Sequence, residues 1–146
     1  MVGDYKVGEI MEENVIASYP EESILNCARK MAYKKVGSLV IMEDTKVVGV
    51  ITEQDIARKV VAKEISPKST PVKEVMSKEV HFISPEKDIQ EAIELMGKNE
   101  IKHLPVIDYG NIVGIITAKD IIAIEPVLID VLKFKSSSRK NIGMYS

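Results

Sequence analysis

Cys27 is the only cysteine among 146 residues, which excludes an internal disulfide framework and a cysteine-based metal cluster. The only histidines are His81 and His103, so a zinc site would have to be assembled mostly from carboxylates. Tryptophan is absent and phenylalanine occurs twice, which argues against an aromatic platform for stacking single-stranded nucleic acid. Neither charge sign forms a block. Instead, 20 basic and 22 acidic residues interleave to a net charge of −2, which argues against a nucleic-acid partner. No apolar run approaches the ~20 residues of a membrane helix. The opening "MVGDYKVGEIMEEN" is polar and acidic, unlike a secretory signal. The expected location is the cytoplasm, with no membrane partner.

What is present is the composition of an ordinary globular chain, 45% hydrophobic and 29% charged. Its length suits one compact core, or two small halves sharing one. Shifted by 65 positions, the sequence aligns with itself without a gap, 7–56 onto 72–121. Of the 50 pairs, 15 are identical, among them Met11/Met76, Pro20/Pro85, Met31/Met96, Leu39/Leu104, Gly49/Gly114 and Asp55/Asp120. A gapless register of that length marks a duplication and predicts a pseudo-symmetric fold.

The two repeats read alike. A short apolar stretch ("NVIAS", "EVHFIS") predicts a strand. "YPEES" and "SPEKD" then place a proline at the first helical position, followed by acids suited to a helix N-terminus, with Ser84 as the N-cap in the second copy. Ile24, Ala28, Met31 and Ala32 follow at helical spacing, as do Ile89, Ala92, Ile93 and Met96. "SLVIM" and "HLPVI" predict buried strands, each followed by a polar turn ("EDTK", "DYGN") and a second strand ("VVGVI", "IVGII"). Thr52 and Thr117 cap a further helix. The order per repeat is β-α-β-β-α, an α/β (α+β) fold, with repeat 1 over 7–62, a linker over 63–71 and repeat 2 over 72–124. A C-terminal helical segment at 125–135, with Val127, Leu128, Val131 and Leu132 on an apolar face, and a flexible tail at 136–146 complete the expectation.

The frame G-h-I-T-x-x-D (h apolar) closes the second strand in both copies, "GVITEQD" at 49–55 and "GIITAKD" at 114–120. Helix capping accounts for the threonines, but a cap does not by itself demand the same acid three residues later. A carboxylate one turn into a helix can accept two hydrogen bonds from a ribose diol, and free amides at a helix start attract phosphate. The pattern points to a nucleotide, in a chain with neither G-x-x-x-x-G-K-[ST] nor G-x-G-x-x-G.

The stretches "DYKVGEIMEENVIAS", "KKVGSLVIM" and "GVITEQDI" in one half, and "VKEVMSKEVHFIS", "NEIKHLPVID" and "GIITAKDI" in the other, resemble a tandem pair of CBS (cystathionine β-synthase) domains, the Bateman module. The resemblance covers nearly all of 7–124. It implies two repeats packed sheet to sheet, with helices outside, and two clefts for adenosine-containing ligands such as AMP, ADP, ATP or S-adenosylmethionine. It further implies a homodimer that regulates a partner protein. Since the module fills the chain, the expectation is an energy-sensing regulator that requires no cofactor or metal and carries out no catalysis. The enzymatic alternative would pair Asp55 with His103 as acid and base, but no nucleophile with an oriented base accompanies them. A purely structural or nucleic-acid-binding module is the other alternative.

Carried over residue by residue, the resemblance builds the main cleft on Thr52 and Asp55, with Val50 near the base. From repeat 2 it brings His81, Ile101, Lys102, His103, Pro105 and Lys119, with Lys35 at the edge. The second cleft is built on Ile115, Thr117 and Asp120, with Ile16, Val36, Gly37, Ser38, Val40, Gln54 and Glu100. At the 65-residue offset Lys35 matches Glu100, Lys102 matches Gly37, His103 matches Ser38 and Lys119 matches Gln54. Charge-assisted hydrogen bonds to phosphate are worth ~1.5–3 kcal/mol each. The Asp55 cleft is therefore expected to be the main phosphate-bearing site, and the Asp120 cleft the weaker one.

Overall fold

The computed structural model describes residues 5–124. The helical segment and tail expected at 125–146 lie outside the described residues. The fold is mixed α/β. In chain order its elements are α1 (Val7–Ile10), β1 (Ala17–Ser18), α2 (Ile24–Lys34), β2 (Ser38–Glu43), β3 (Lys46–Thr52), α3 (Glu53–Asp55), α4 (Ile89–Asn99), β4 (His103–Asp108), β5 (Asn111–Thr117) and α5 (Ala118–Ile124). A π-helical turn (Ile56–Val61) continues α3, and a 3₁₀ turn (Val72–Glu74) opens repeat 2.

Two compact units form, and they cut across the repeats. One comprises 14–80 with 110–112; of the described residues, the other comprises 5–13, 81–109 and 113–124. In the first unit the sheet order is β1-β2-β3, with β2 and β3 antiparallel and β1 joining β2 in parallel. Ser38 stands opposite Thr52 and Val40 opposite Val50. α2 lays Ile24, Cys27 and Met31 onto Leu39, Ile41 and Ile51, all buried. The core position falls to Cys27; Ala28 is only half-buried and Ala32 is exposed.

In the second unit β4 and β5 form the sheet, and α4 buries Ile89, Ala92, Ile93 and Met96 as the spacing predicts. The strand expected in "EVHFIS" shrinks to a single parallel bridge, Ile83 to Val106. The cause is Pro105. Its counterpart Val40 donates its amide to the Ile16 carbonyl at 3.2 Å, whereas proline has no N–H to offer His81 in the same way.

Both long helices start later than the prolines predict. Ser23 is the N-cap of α2, its hydroxyl accepting the Asn26 amide at 3.0 Å. The preceding carbonyls of Pro20 and Glu22 are taken by the amides of Lys73 (3.1 Å) and Val72 (2.7 Å), so "YPEES" folds as a receiving turn. In the second unit the carbonyls of Pro85 and Lys87 accept the amides of Gly8 (2.9 Å) and Val7 (2.8 Å). There α4 begins after Asp88, and the Ser84 hydroxyl accepts the Glu86 amide (3.3 Å) within the turn instead of capping the helix.

Those bonds expose the organising feature of the fold, an exchange of leading segments. Val72 and Val75 complete the core of repeat 1, and Val7 completes the core of repeat 2. Met76 covers Gly49, where any Cβ would collide with its side chain, and Met11 covers Gly114 in the same way. Ser77 and Val50 exchange backbone hydrogen bonds (2.9 and 3.1 Å), as do Glu12 and Ile115 (2.8 and 2.9 Å). The pairs Met11/Met76, Pro20/Pro85 and Gly49/Gly114 are thus identical because each serves the same docking.

Candidate functional site

β3 and β5 both end in a reciprocal capping box. Thr52 is extended (φ −121°) as β3 leaves the sheet; its Oγ1 accepts the Asp55 amide at 3.1 Å, and Asp55 Oδ2 accepts the Thr52 amide at 3.0 Å. Thr117 and Asp120 repeat the pattern at 3.2 and 3.0 Å. In such a box the acid three residues after the cap satisfies the cap's own amide. The recurrence of the aspartate therefore has a local cause, which corrects the argument that capping does not require it. The box occupies one acceptor position of a carboxylate that offers about four. Asp55 and Asp120 are half-buried, so the remaining positions are within reach of a ligand.

The neighbours of each box follow from the hairpins. In the first unit the Glu53 amide donates to the Gly37 carbonyl at 3.0 Å, buried Ser38 stands opposite Thr52, and buried Val40 stands opposite Val50. Half-buried Val36 and Ile16 pack against the same core. Lys35 is exposed in the left-handed region (φ 59°) where α2 ends, and Glu100 (φ 54°) ends α4 likewise. In the second unit the Ala118 amide donates to the Lys102 carbonyl at 3.0 Å, which sets Lys102 and His103 beside Thr117. Ile101 packs against the core, Pro105 is buried, His81 is half-buried, and Lys102 and Lys119 are exposed.

The structure therefore gathers the expected residues into two sets. Val50, Thr52 and Asp55 share a unit with Ile16, Lys35, Val36, Gly37, Ser38 and Val40. Ile115, Thr117 and Asp120 share the other with His81, Ile101, Lys102, His103, Pro105 and Lys119. The pairings expected from the resemblance run from one set to the other.

One residue beside the first box escaped the sequence reading. Lys59 Nζ lies 3.3 Å from Asp55 Oδ1, and an acid followed by a base four residues on is the signal that could have found it. Its counterpart at the repeat offset is Ile124, and among the described residues no cation pairs with Asp120.

Elsewhere in the first unit, Cys27 is fully buried and donates to Ser18 Oγ at 3.7 Å; burial pushes its thiol up, against the lowering effect of that bond. Ser18 bonds Glu22, and Lys30 donates to Glu22 (3.1 Å) and to the Ala17 carbonyl (2.9 Å). Among the described residues no group of three or more His, Cys, Asp or Glu side chains could hold a metal ion, and no helix is long and apolar enough to cross a membrane.

Comparison with known proteins gives these features a family. An uncharacterized protein of Methanopyrus kandleri is 35% identical over 125 residues, 84% of this chain and 64% of that protein. The inosine-5′-monophosphate dehydrogenase of Thermoplasma acidophilum is 35% identical over 135 residues, 92% of this chain and 25% of that enzyme. The chain thus spans less than two thirds of the length of either relative. A CBS domain pair solved in complex with 5′-methylthioadenosine and S-adenosyl-L-methionine superposes with a TM-score of 0.74 at 29% identity, over 81% of this chain and 93% of that one. The CBS domain family itself is matched twice, at residues 7–62 and 72–126, in step with the duplication and the two capping boxes. The chain belongs to the CBS domain family and carries its domain as a tandem pair.

Proposed function

We propose that this CBS pair is a regulatory module that binds an adenosine-containing ligand and performs no chemistry of its own. The observation that carries the reading is the doubled capping box. Each box leaves an ordered, half-buried carboxylate with acceptor positions to spare at a strand end, suited to a ribose diol. The neighbour bound to 5′-methylthioadenosine and S-adenosyl-L-methionine supports the ligand class. AMP, ADP, ATP and S-adenosylmethionine all belong to it.

In the arrangement that the family resemblance implies, Thr52 and Asp55 hold the ribose and Val50 lies near the base. Lys102, His103 and Lys119 then meet the phosphates, with Lys35, His81, Ile101 and Pro105 around them. The Asp120 site, matched with Gly37 and Ser38, binds more weakly. A cytoplasmic homodimer passes the signal to a partner protein by changing between two conformational states, and the ligand shifts the balance only by its differential affinity for the two.

Calorimetric titration with AMP, ADP, ATP and S-adenosylmethionine tests the reading on the wild type, Asp55→Ala and Asp120→Ala. Asp55→Ala is expected to weaken the tightest binding at least about tenfold, and Asp120→Ala to weaken it less. No binding of any of the four would overturn the ligand class. A larger loss at Asp120 would reverse the assignment, and turnover of a bound nucleotide would overturn the non-catalytic reading.

A further inference from the structure

Asp55 differs from Asp120 in how its second oxygen is held. Oδ2 accepts the Thr52 amide at 3.0 Å, and Lys59 Nζ lies 3.3 Å from Oδ1. Both oxygens are thus tethered, and each keeps a lone-pair position for a further donor. A diol has two donors. The same Lys59 ammonium donates to the Val75 carbonyl at 3.3 Å. Val75 belongs to the exchanged segment, two residues before Ser77, which is hydrogen-bonded to Val50. One lysine therefore ties the carboxylate to a segment whose end abuts the strand residue expected beside the base.

Lys59 lies within the π-helical turn Ile56–Val61, where the Ala62 amide reaches the Ala57 carbonyl at 3.0 Å, five residues back. The corresponding α5 is α-helical over its described residues, which end at Ile124, the residue in place of the lysine. Single π-helical turns recur at functional sites because they re-aim the side chains around them. The ion pair itself is partly exposed, with the lysine side chain 41% accessible, so stability alone gives it little to do.

We propose that Lys59 is a positioning residue for the Asp55 site: it fixes the carboxylate for the two ribose hydroxyls and couples occupancy of that site to the exchanged segment 72–77. The inference rests on the reading of Asp55 as the ribose anchor. A ligand meeting Asp55 finds the acceptor already oriented, which removes an ordering cost from binding. At Asp120, among the described residues, the capping box alone holds the carboxylate.

The experiment titrates the full chain, as wild type, Lys59→Met, Lys59→Arg and Asp55→Ala, with AMP and with 2′,3′-dideoxyadenosine 5′-monophosphate. Lys59→Met is expected to weaken AMP about tenfold while leaving the dideoxy nucleotide within about twofold, and Lys59→Arg to restore most of the loss. Amide hydrogen exchange supplies a second readout. AMP slows exchange at Val50 and Ser77 in the wild type and not in Lys59→Met, with the remaining amides reporting that the variant is folded. Equal losses for the two nucleotides, or an unchanged AMP affinity, overturn the inference. Should Asp55→Ala lose AMP while Lys59→Met keeps it, the anchor stands and the role of Lys59 falls. Should Asp55→Ala keep AMP, the anchor falls and the inference with it.

Discussion

Replacing Gly114 by alanine tests the exchange of leading segments most directly. A Cβ there would stand 2.6 Å from Met11 Sδ, 2.9 Å from Met11 Cγ and 3.0 Å from the Glu12 carbonyl oxygen, where ordinary contact begins at 3.4 Å. The methionine tail can turn aside, being flexible. The carbonyl has less freedom, because it accepts the Ile115 amide at 2.9 Å while the Glu12 amide donates back at 2.8 Å. Overpacking of this kind costs about 1–3 kcal/mol, and replacing glycine offsets about 0.4–1 kcal/mol of that through the unfolded chain. The net expectation is a loss of about 1–2 kcal/mol. At Gly49 the three atoms nearest to such a Cβ all belong to the flexible Met76 side chain, so Gly49→Ala should cost less. Urea denaturation of both variants gives the order. Adding Met11→Ala to Gly114→Ala should recover part of the loss, since touching residues are not additive. An alanine at 114 as stable as glycine, or a larger loss at 49 than at 114, would refute the reasoning.

Three further outcomes follow from single contacts. Ser23→Ala removes the acceptor of the Asn26 amide and should cost about 1 kcal/mol in denaturation, and an unchanged midpoint would deny Ser23 its capping role. Because burial raises the Cys27 thiol, its contribution to stability is whole below the ordinary thiol value and declines as the pH climbs from there towards the raised one. Cys27→Ala should therefore flatten the alkaline limb of the stability profile; an identical limb in the variant would count against it. Iodoacetamide should label Cys27 no faster than the chain opens, so labelling at the rate of a free thiol would show that the sulfur is accessible.

The sequence disclosed the parts that obey local rules. "SLVIM", "VVGVI", "HLPVI" and "IVGII" fall within β2, β3, β4 and β5, because continuous apolar runs bounded by turns have few other solutions. The turns follow the same logic, with Asp44, Tyr109 and Gly110 in the left-handed region where the hairpins reverse. The helix starts were misplaced because their carbonyls serve a distant segment, and no local pattern carries that information. The short first strand of repeat 2 was missed for a similar reason: the decisive residue, Pro105, lies in the neighbouring strand. At the site, the two T-x-x-D frames were visible as a repeat, but their double duty as capping boxes appeared only with the bond geometry. Lys59 has Ile124 as its counterpart at the repeat offset and lies beyond the T-x-x-D frame, so the duplicated pattern does not point to it.

The exchange also dictates an order of assembly. Residues 14–80 include the leading segment of repeat 2 that completes the core of repeat 1, so that core can close before the rest of repeat 2 has been synthesised. Residues 5–13 emerge from the ribosome well before Pro85, Lys87, Gly114 and Ile115, which receive them. Loop closure over that separation is slow compared with local contact formation. The segment made before its receivers is placed only after they are in position.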